Sequence, residues 1–165
     1  MFSDLTFRMS TKEDKELLND LVSSKFGDRT RYHVLDNLEG RYFIAINNDG
    51  VIVAMTGLNF SNEYNGPEID WTCVDDSYTN KGLITYMISK VISNYNGDIY
   101  CSCWRNKNSV INLHNAMYKN GFVPAVVPRI TYTTEHNCCS NTCVKYNPIN
   151  GICTCCEDLY IRPAR

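Results

Sequence analysis

Leu5, Phe7 and Met9 alternate with polar neighbours at the period of a half-buried strand, and Ser10-Thr11-Lys12-Glu13 follows at once with a serine three residues ahead of a glutamate. That capping-box spacing predicts a helix whose apolar positions, Leu17, Leu18, Leu21 and Val22, share one side, with Gly27-Asp28 as its stop. A second short helix is expected over residues 30–38. Residues 41–46 and 51–58 are β-rich runs joined through Asn47-Asn48-Asp49-Gly50. Asp-Gly supplies the positive φ angles of a tight hairpin, so an antiparallel pair is expected. After a polar loop, residues 59–67, the stretch from Glu68 to Val74 alternates polar and apolar residues through Cys73, which predicts a strand with one buried face.

Residues 80–93 then carry Leu83, Ile84, Met87, Ile88, Val91 and Ile92 at helical period, a broad stripe that predicts a core-facing helix. Asn96-Gly97 turns the chain into an expected strand over residues 98–104. A third helical pattern covers residues 108–120 through Val110, Ile111, Leu113 and Met117, and Asn120-Gly121 ends it. Apolar or β-branched runs at residues 122–127, 130–134 and 158–161 complete the regular elements. The expected order is a strand, two helices, three strands, then helix, strand, helix and strands again, an α/β pattern.

A chain of 165 residues, 44% hydrophobic, is of a size to build one core, so a single compact domain is the default. The formal charge of −2 provides no general attraction for nucleic acid or an anionic membrane. The first residues have neither a basic region nor an apolar signal core, and no stretch reaches the roughly 18 uninterrupted apolar residues of a membrane span. The sequence therefore reads as a cytoplasmic protein without nucleic-acid or membrane partners, its oligomeric state left open.

Val74-Asp75-Asp76-Ser77-Tyr78-Thr79-Asn80-Lys81-Gly82-Leu83-Ile84 runs from an expected strand through small and polar residues into an expected helix. The unpaired N–H groups of a helix N-terminus cradle phosphate, so this is an anion-binding arrangement. The segment resembles the acetyl-CoA pyrophosphate loop of the GNAT superfamily, Q/R-x-x-G-x-G/A. Thr79 stands at the Gln/Arg position, Gly82 at the first glycine and Ile84 at the final Gly/Ala. The element order resembles that family over roughly residues 5–135, which implies an α/β fold with a mixed, mainly antiparallel central sheet flanked by helices. The resemblance implies acetyl-CoA as cofactor, held by Cys73, Val74, Ser77, Thr79, Asn80, Lys81, Gly82, Leu83 and Asn108. It also extends to Asn108, the helix after it and Gly121-Phe122; the family's tyrosine four residues before that glycine is Met117 here, with Tyr118 beside it.

Acetyl transfer needs a deprotonated amine, a polarised thioester carbonyl and a proton for the departing thiolate. Glu68 and Asp70, two residues apart on one strand, share a face and are the candidate bases, acting directly or through water; the alternatives are a solvated face or substrate-orienting charge. Tyr118 is the candidate acid, against a packing role. His33 and His114 are assigned none. The expected activity is an acetyl-CoA-dependent N-acetyltransferase acting on a primary amine of a small molecule or protein, its acceptor groove built from residues 12–38 and the last strands. The alternative is a non-catalytic module of the same fold that binds a partner or nucleic acid through its cysteines.

Six of the nine cysteines crowd between Cys138 and Cys156, flanking Asn147-Pro148-Ile149-Asn150-Gly151. Cys139 and Cys143 with Cys153 and Cys156 give C-x3-C and C-x2-C spacings suited to a tetrahedral structural zinc, with Cys138, Cys155 and His136 as further donors. Disulfides, free thiols or another metal are the other readings. Residues 1–135 are thus expected to form the acetyltransferase-like domain, and residues 136–165 a cysteine-rich extension packed on it as a small knuckle.

Overall fold

The structure is a computed structural model that describes residues 2–26, 38–62, 64–104, 112–125, 130–131 and 156–164. Strand β1 (Leu5–Met9) leads through a 3-10 turn (Lys12–Asp14) into helix α1 (Lys15–Phe26), followed by strands β2 (Tyr42–Asn47), β3 (Ile52–Asn59) and β4 (Glu68–Val74). Helix α2 (Leu83–Ile92), strand β5 (Ile99–Trp104), helix α3 (His114–Lys119) and strands β6 (Val123–Pro124), β7 (Ile130–Thr131) and β8 (Cys156–Arg162) complete the described elements. They form one sheet in the order β1-β2-β3-β4-β5-β8-β6, with β7 also on β8. Every pairing is antiparallel except that of β4 with β5. No helix among the described residues is long and apolar enough to cross a membrane.

Two apolar clusters hold the sheet, one on each face. Leu18, Leu21 and Val22 of α1 pack with Tyr42, Ile44, Met55 and Cys73. On the other face Leu83, Ile84, Met87, Ile88 and Ile92 of α2 meet Ile99, Cys101 and Cys103 of β5 and Met117 of α3. The helical stripe read from residues 80–93 is the inner face of α2, and burying each of its large side chains is worth about 2 kcal/mol. Leu17 is an exception to the stripe expected in α1, being 44% exposed.

The start of α1 differs from the expected capping box by one residue. Asp14, not Glu13, turns its carboxylate back to the N–H of Thr11 at 2.8 Å. Asp14 also takes a two-pronged contact from Arg8 at 2.6 and 2.7 Å, tying the helix start to β1. Ser10 is buried instead: its hydroxyl donates to the carbonyl of Leu38 and accepts the N–H of Tyr42 at 3.0 Å. A serine enclosed between Leu38 and Tyr42 has no freedom to cap a helix. The hairpin turn between β2 and β3 is as expected, with Gly50 at φ +77°. Residues 30–37 of the expected second helix lie outside the described residues.

The expectation of a single buried face on β4 is corrected. Ile69 and Cys73, four residues apart, would share a face on a regular strand, yet they join the clusters on opposite sides of the sheet. The cause is a bulge: the β3–β4 register passes from Met55 opposite Cys73 to Gly57 opposite Asp70, and Trp71 sits at φ +39°.

Candidate active site

The sheet opens between β4 and β5. Their ladder carries one register pair, Glu68 opposite Tyr100, beside a bond from the Tyr100 N–H to the Pro67 carbonyl at 2.9 Å. One step further the N–H of Ser102 meets the Glu68 carboxylate, at 3.2 Å, rather than the backbone of β4. Parallel strands that part at their carboxyl ends leave a crevice, the usual ligand position of open α/β sheets. The loop before β4 closes its base. A Cβ on Gly66 would lie 2.3 Å from the Asp98 carbonyl, so only glycine permits that approach. From this loop Tyr64 stacks on Tyr100, ring centres 4.7 Å apart, with its hydroxyl 3.3 Å from that of Ser102. Glu68 stands half-buried at this base, where the two strands still pair.

Asp70 is placed otherwise. Tyr42, Gly57 and Asp70 lie in register across β2, β3 and β4. A Cβ on Gly57 would come within 2.8 Å of both the Arg41 carbonyl and the Tyr42 ring. The bare backbone therefore lets the ring lie across β3 and bring its hydroxyl to Asp70 at 3.2 Å, while the Arg41 guanidinium reaches the same carboxylate oxygen at 2.6 Å. Burial raises the Asp70 pKa, and the bonds from Arg41, Tyr42 and the Trp71 N–H pull against it. Burial, with the Asp70 charge, holds the Tyr42 phenol far above its ordinary range. Asp70 is a locked carboxylate directly before the bulge.

Beyond β4, Asp75 accepts the Ser77 N–H at 2.9 Å and the Ser77 hydroxyl, and a 3-10 turn (Asp76–Tyr78) follows. The Thr79 N–H bonds to the Asp76 carbonyl at 3.2 Å. Ser77 and Thr79 thus spend their N–H groups within the turn, which corrects the expectation that these would meet a phosphate. Asn80, at φ +60°, and Gly82, at φ +80°, bend the chain into α2. The N–H groups from Asn80 to Thr85 have no hydrogen-bond partner among the described residues. They form an open row at the start of a ten-residue helix.

Among the other side chains assigned to the cofactor, Leu83 is buried beneath α2 and Ile84 is 8% exposed in the same core, so each offers its backbone only. Val74 packs on that core. Cys73 is buried on the α1 face, where burial pushes its thiol up to about 12. Lys81 lies over the ring of Tyr78 at 5.2 Å. Tyr118 points outward, 70% exposed, while Met117 takes the inward position; the phase of α3 keeps Tyr118 from the core side. The same helix brings His114 to the buried Tyr160 hydroxyl at 2.9 Å, a contact the sequence did not suggest. Asn108, Cys139, Cys143 and Cys153 lie outside the described residues, as does the side chain of Cys156, which opens β8. Among the described residues no group of three His, Cys, Asp or Glu is placed to hold a metal.

Arg41, Tyr42, Gly57, Tyr64 and Tyr100 were not singled out from the sequence. For Gly57 a signal existed: a lone glycine inside a β-rich run marks a close approach of chains.

A search of curated proteins found no match. Solved structures share the fold at low identity. Diaminobutyrate acetyltransferase EctA from Paenibacillus lautus, in complex with L-2,4-diaminobutyric acid and coenzyme A, aligns with a TM-score of 0.68 at 14% identity over 97% of this chain and 95% of its own. The ribosomal-protein-S5-alanine acetyltransferase from Vibrio fischeri aligns at 0.60 and 14% identity, over 99% and 95%. A GNAT-family acetyltransferase from Bacillus anthracis aligns at 0.55 and 18% identity, over 96% and 94%. The model of the acetyltransferase (GNAT) family matches residues 11–122, which span α1, the parted strands and the open N–H row, and the chain belongs to that family.

Proposed function

We propose that the protein transfers the acetyl group of acetyl-CoA to a primary amine. The observation that carries this reading is the pairing of a crevice between β4 and β5 with the open N–H row from Asn80 to Thr85 at the start of α2. The row receives the cofactor's pyrophosphate, helped by the partial positive charge of the helix start. The acyl arm then lies along the crevice toward the bulge at Trp71. Structures with bound coenzyme A or with amine acceptors in their names share the fold and support the reaction class.

Of the two candidate carboxylates, Glu68 is the base. It stands at the base of the crevice with a backbone N–H as its partner, whereas Asp70 is held by Arg41 and Tyr42. Glu68 takes a proton from the acceptor's ammonium, directly or through one water, and the freed amine attacks the thioester carbon. The C–N bond forms, the C–S bond breaks, and the second proton lost by the nitrogen passes through water to the departing CoA thiolate. The acceptor enters over Tyr64, Tyr100 and Ser102. Isothermal titration with acetyl-CoA, followed by thiol-release assays over amino acids, diamines and peptide N-termini, tests the reading. Micromolar binding with turnover of one amine class supports it; a folded protein that binds no acetyl-CoA overturns it.

A further inference from the structure

The pyrophosphate loop carries two adjacent acids, Asp75 and Asp76, at the place where the proposed cofactor brings its own negative charge. Asp75 is engaged locally by Ser77. Asp76 is engaged from outside the loop: its carboxylate, 92% exposed, meets the ammonium of Lys25 at 2.8 Å. Lys25 lies in the last turn of α1, and four-fifths of its side chain is covered. The next residue, Phe26, sets its ring edge against Trp71 of the bulge at 5.4 Å, which fixes that turn of the helix. The ammonium is therefore aimed at the loop before any ligand arrives, and little side-chain entropy is left to lose on binding. Lys81, the other cation of the loop, is exposed and rests on Tyr78.

An exposed carboxylate is a weak holder of a lysine, because solvent screens the pair. A pyrophosphate at the neighbouring N–H row offers more charge to the same ammonium. We infer that Lys25 is the cation that receives the cofactor's pyrophosphate, and that Asp76 holds it in place while the site is empty. The inference rests on the acetyl-CoA reading and adds a residue from the acceptor side of the molecule to the cofactor site. It follows that α1 touches both the bulge and the phosphates, so cofactor binding steadies one wall of the acceptor groove.

Titration of acetyl-CoA into the wild-type protein and the Lys25→Met, Lys25→Arg and Asp76→Asn variants, at low and high salt, tests it. Lys25→Met is expected to weaken binding about tenfold at low salt, with the gap closing as salt screens the charge. Lys25→Arg keeps most of the affinity, and Asp76→Asn binds tighter by a few-fold because the lysine loses its competitor. If Asp76→Asn is instead as weak as Lys25→Met, the ion pair only props the loop and the inference is overturned. Unchanged binding in Lys25→Met overturns it as well. A wild-type protein that binds no acetyl-CoA is a separate result, which removes the cofactor reading and this inference with it.

Discussion

Glu68 and Asp70 stand two residues apart on one strand, yet the regions around them are built for opposite ends. At Glu68 the one register pair of β4 with β5 gives way to the crevice, and the carboxylate has the Ser102 N–H as its partner beside the Tyr64–Tyr100 stack. Around Asp70 three strands are in register, a glycine has been bared to admit a tyrosine ring, and a guanidinium closes the row. Identical chemistry at the carboxyl group thus meets a single backbone N–H in one place and a guanidinium with a phenol in the other. What separates them is whether the charge already has its counterion.

The sharpest break in this comparison comes from neutralising each acid in turn. Glu68→Gln is expected to lower the turnover of a responsive amine about 100-fold with the unfolding midpoint unchanged. Asp70→Asn should reverse that order, moving the unfolding midpoint rather than the turnover; equal activity losses in two equally stable variants would erase the distinction. Next in size is Gly57→Ala. Its methyl has no room beside the Arg41 carbonyl and the Tyr42 ring, and urea denaturation should show a loss of about 2 kcal/mol.

Acid titration of stability separates two carboxylates in the same manner, with a smaller effect. Arg8 beside Asp14 holds that carboxyl down at about 2, below its ordinary 3.8. Its contribution is therefore complete above the ordinary value and lost as the pH falls from about 4 toward 2, an effect of about 1 kcal/mol given the exposure of Arg8. Asp70 has the opposite sign: with its pKa raised by burial, its charged form costs stability at neutral pH, and protonation relieves that cost. Urea midpoints of Asp14→Asn across the acid range should lose the slope, while Asp70→Asn should keep it. The smallest expected change is in Tyr118→Phe. An exposed hydroxyl on the outer side of α3 should alter turnover by less than about twofold, and a tenfold loss in the assay would return Tyr118 to the crevice.

The elements with a strong period, α2 and the β2–β3 hairpin, were legible in the sequence because local spacing and turn chemistry settle them. The passage from β4 into α2 through residues 75–82 was legible as a strand-to-helix turn, and its glycine at position 82 adopts a left-handed φ. The division of its N–H groups was not, since Asp75 captures that of Ser77 through a side-chain bond that competes with any ligand. The bulge at Trp71 was hidden by a strand whose alternation looked regular, and it flips every later side chain to the other face. The contacts of Arg41, Tyr42 and Gly57 with Asp70 were hidden because strand register brings together residues distant along the chain.

Strand β8 pairs with β5 on one side and with β6 and β7 on the other, although residues 156–162 follow β5 by some fifty positions. During synthesis, then, β5 emerges from the ribosome with its outer edge unpaired, and that edge stays open until the last strand has left the exit tunnel. Such an edge can recruit strands from other nascent chains, and closing a loop of this length is slow relative to local hairpins. The rate at which the protein reaches its native state, and its yield at high expression, are therefore expected to depend on a strand that lies between β5 and β6 in the finished sheet and reaches it late.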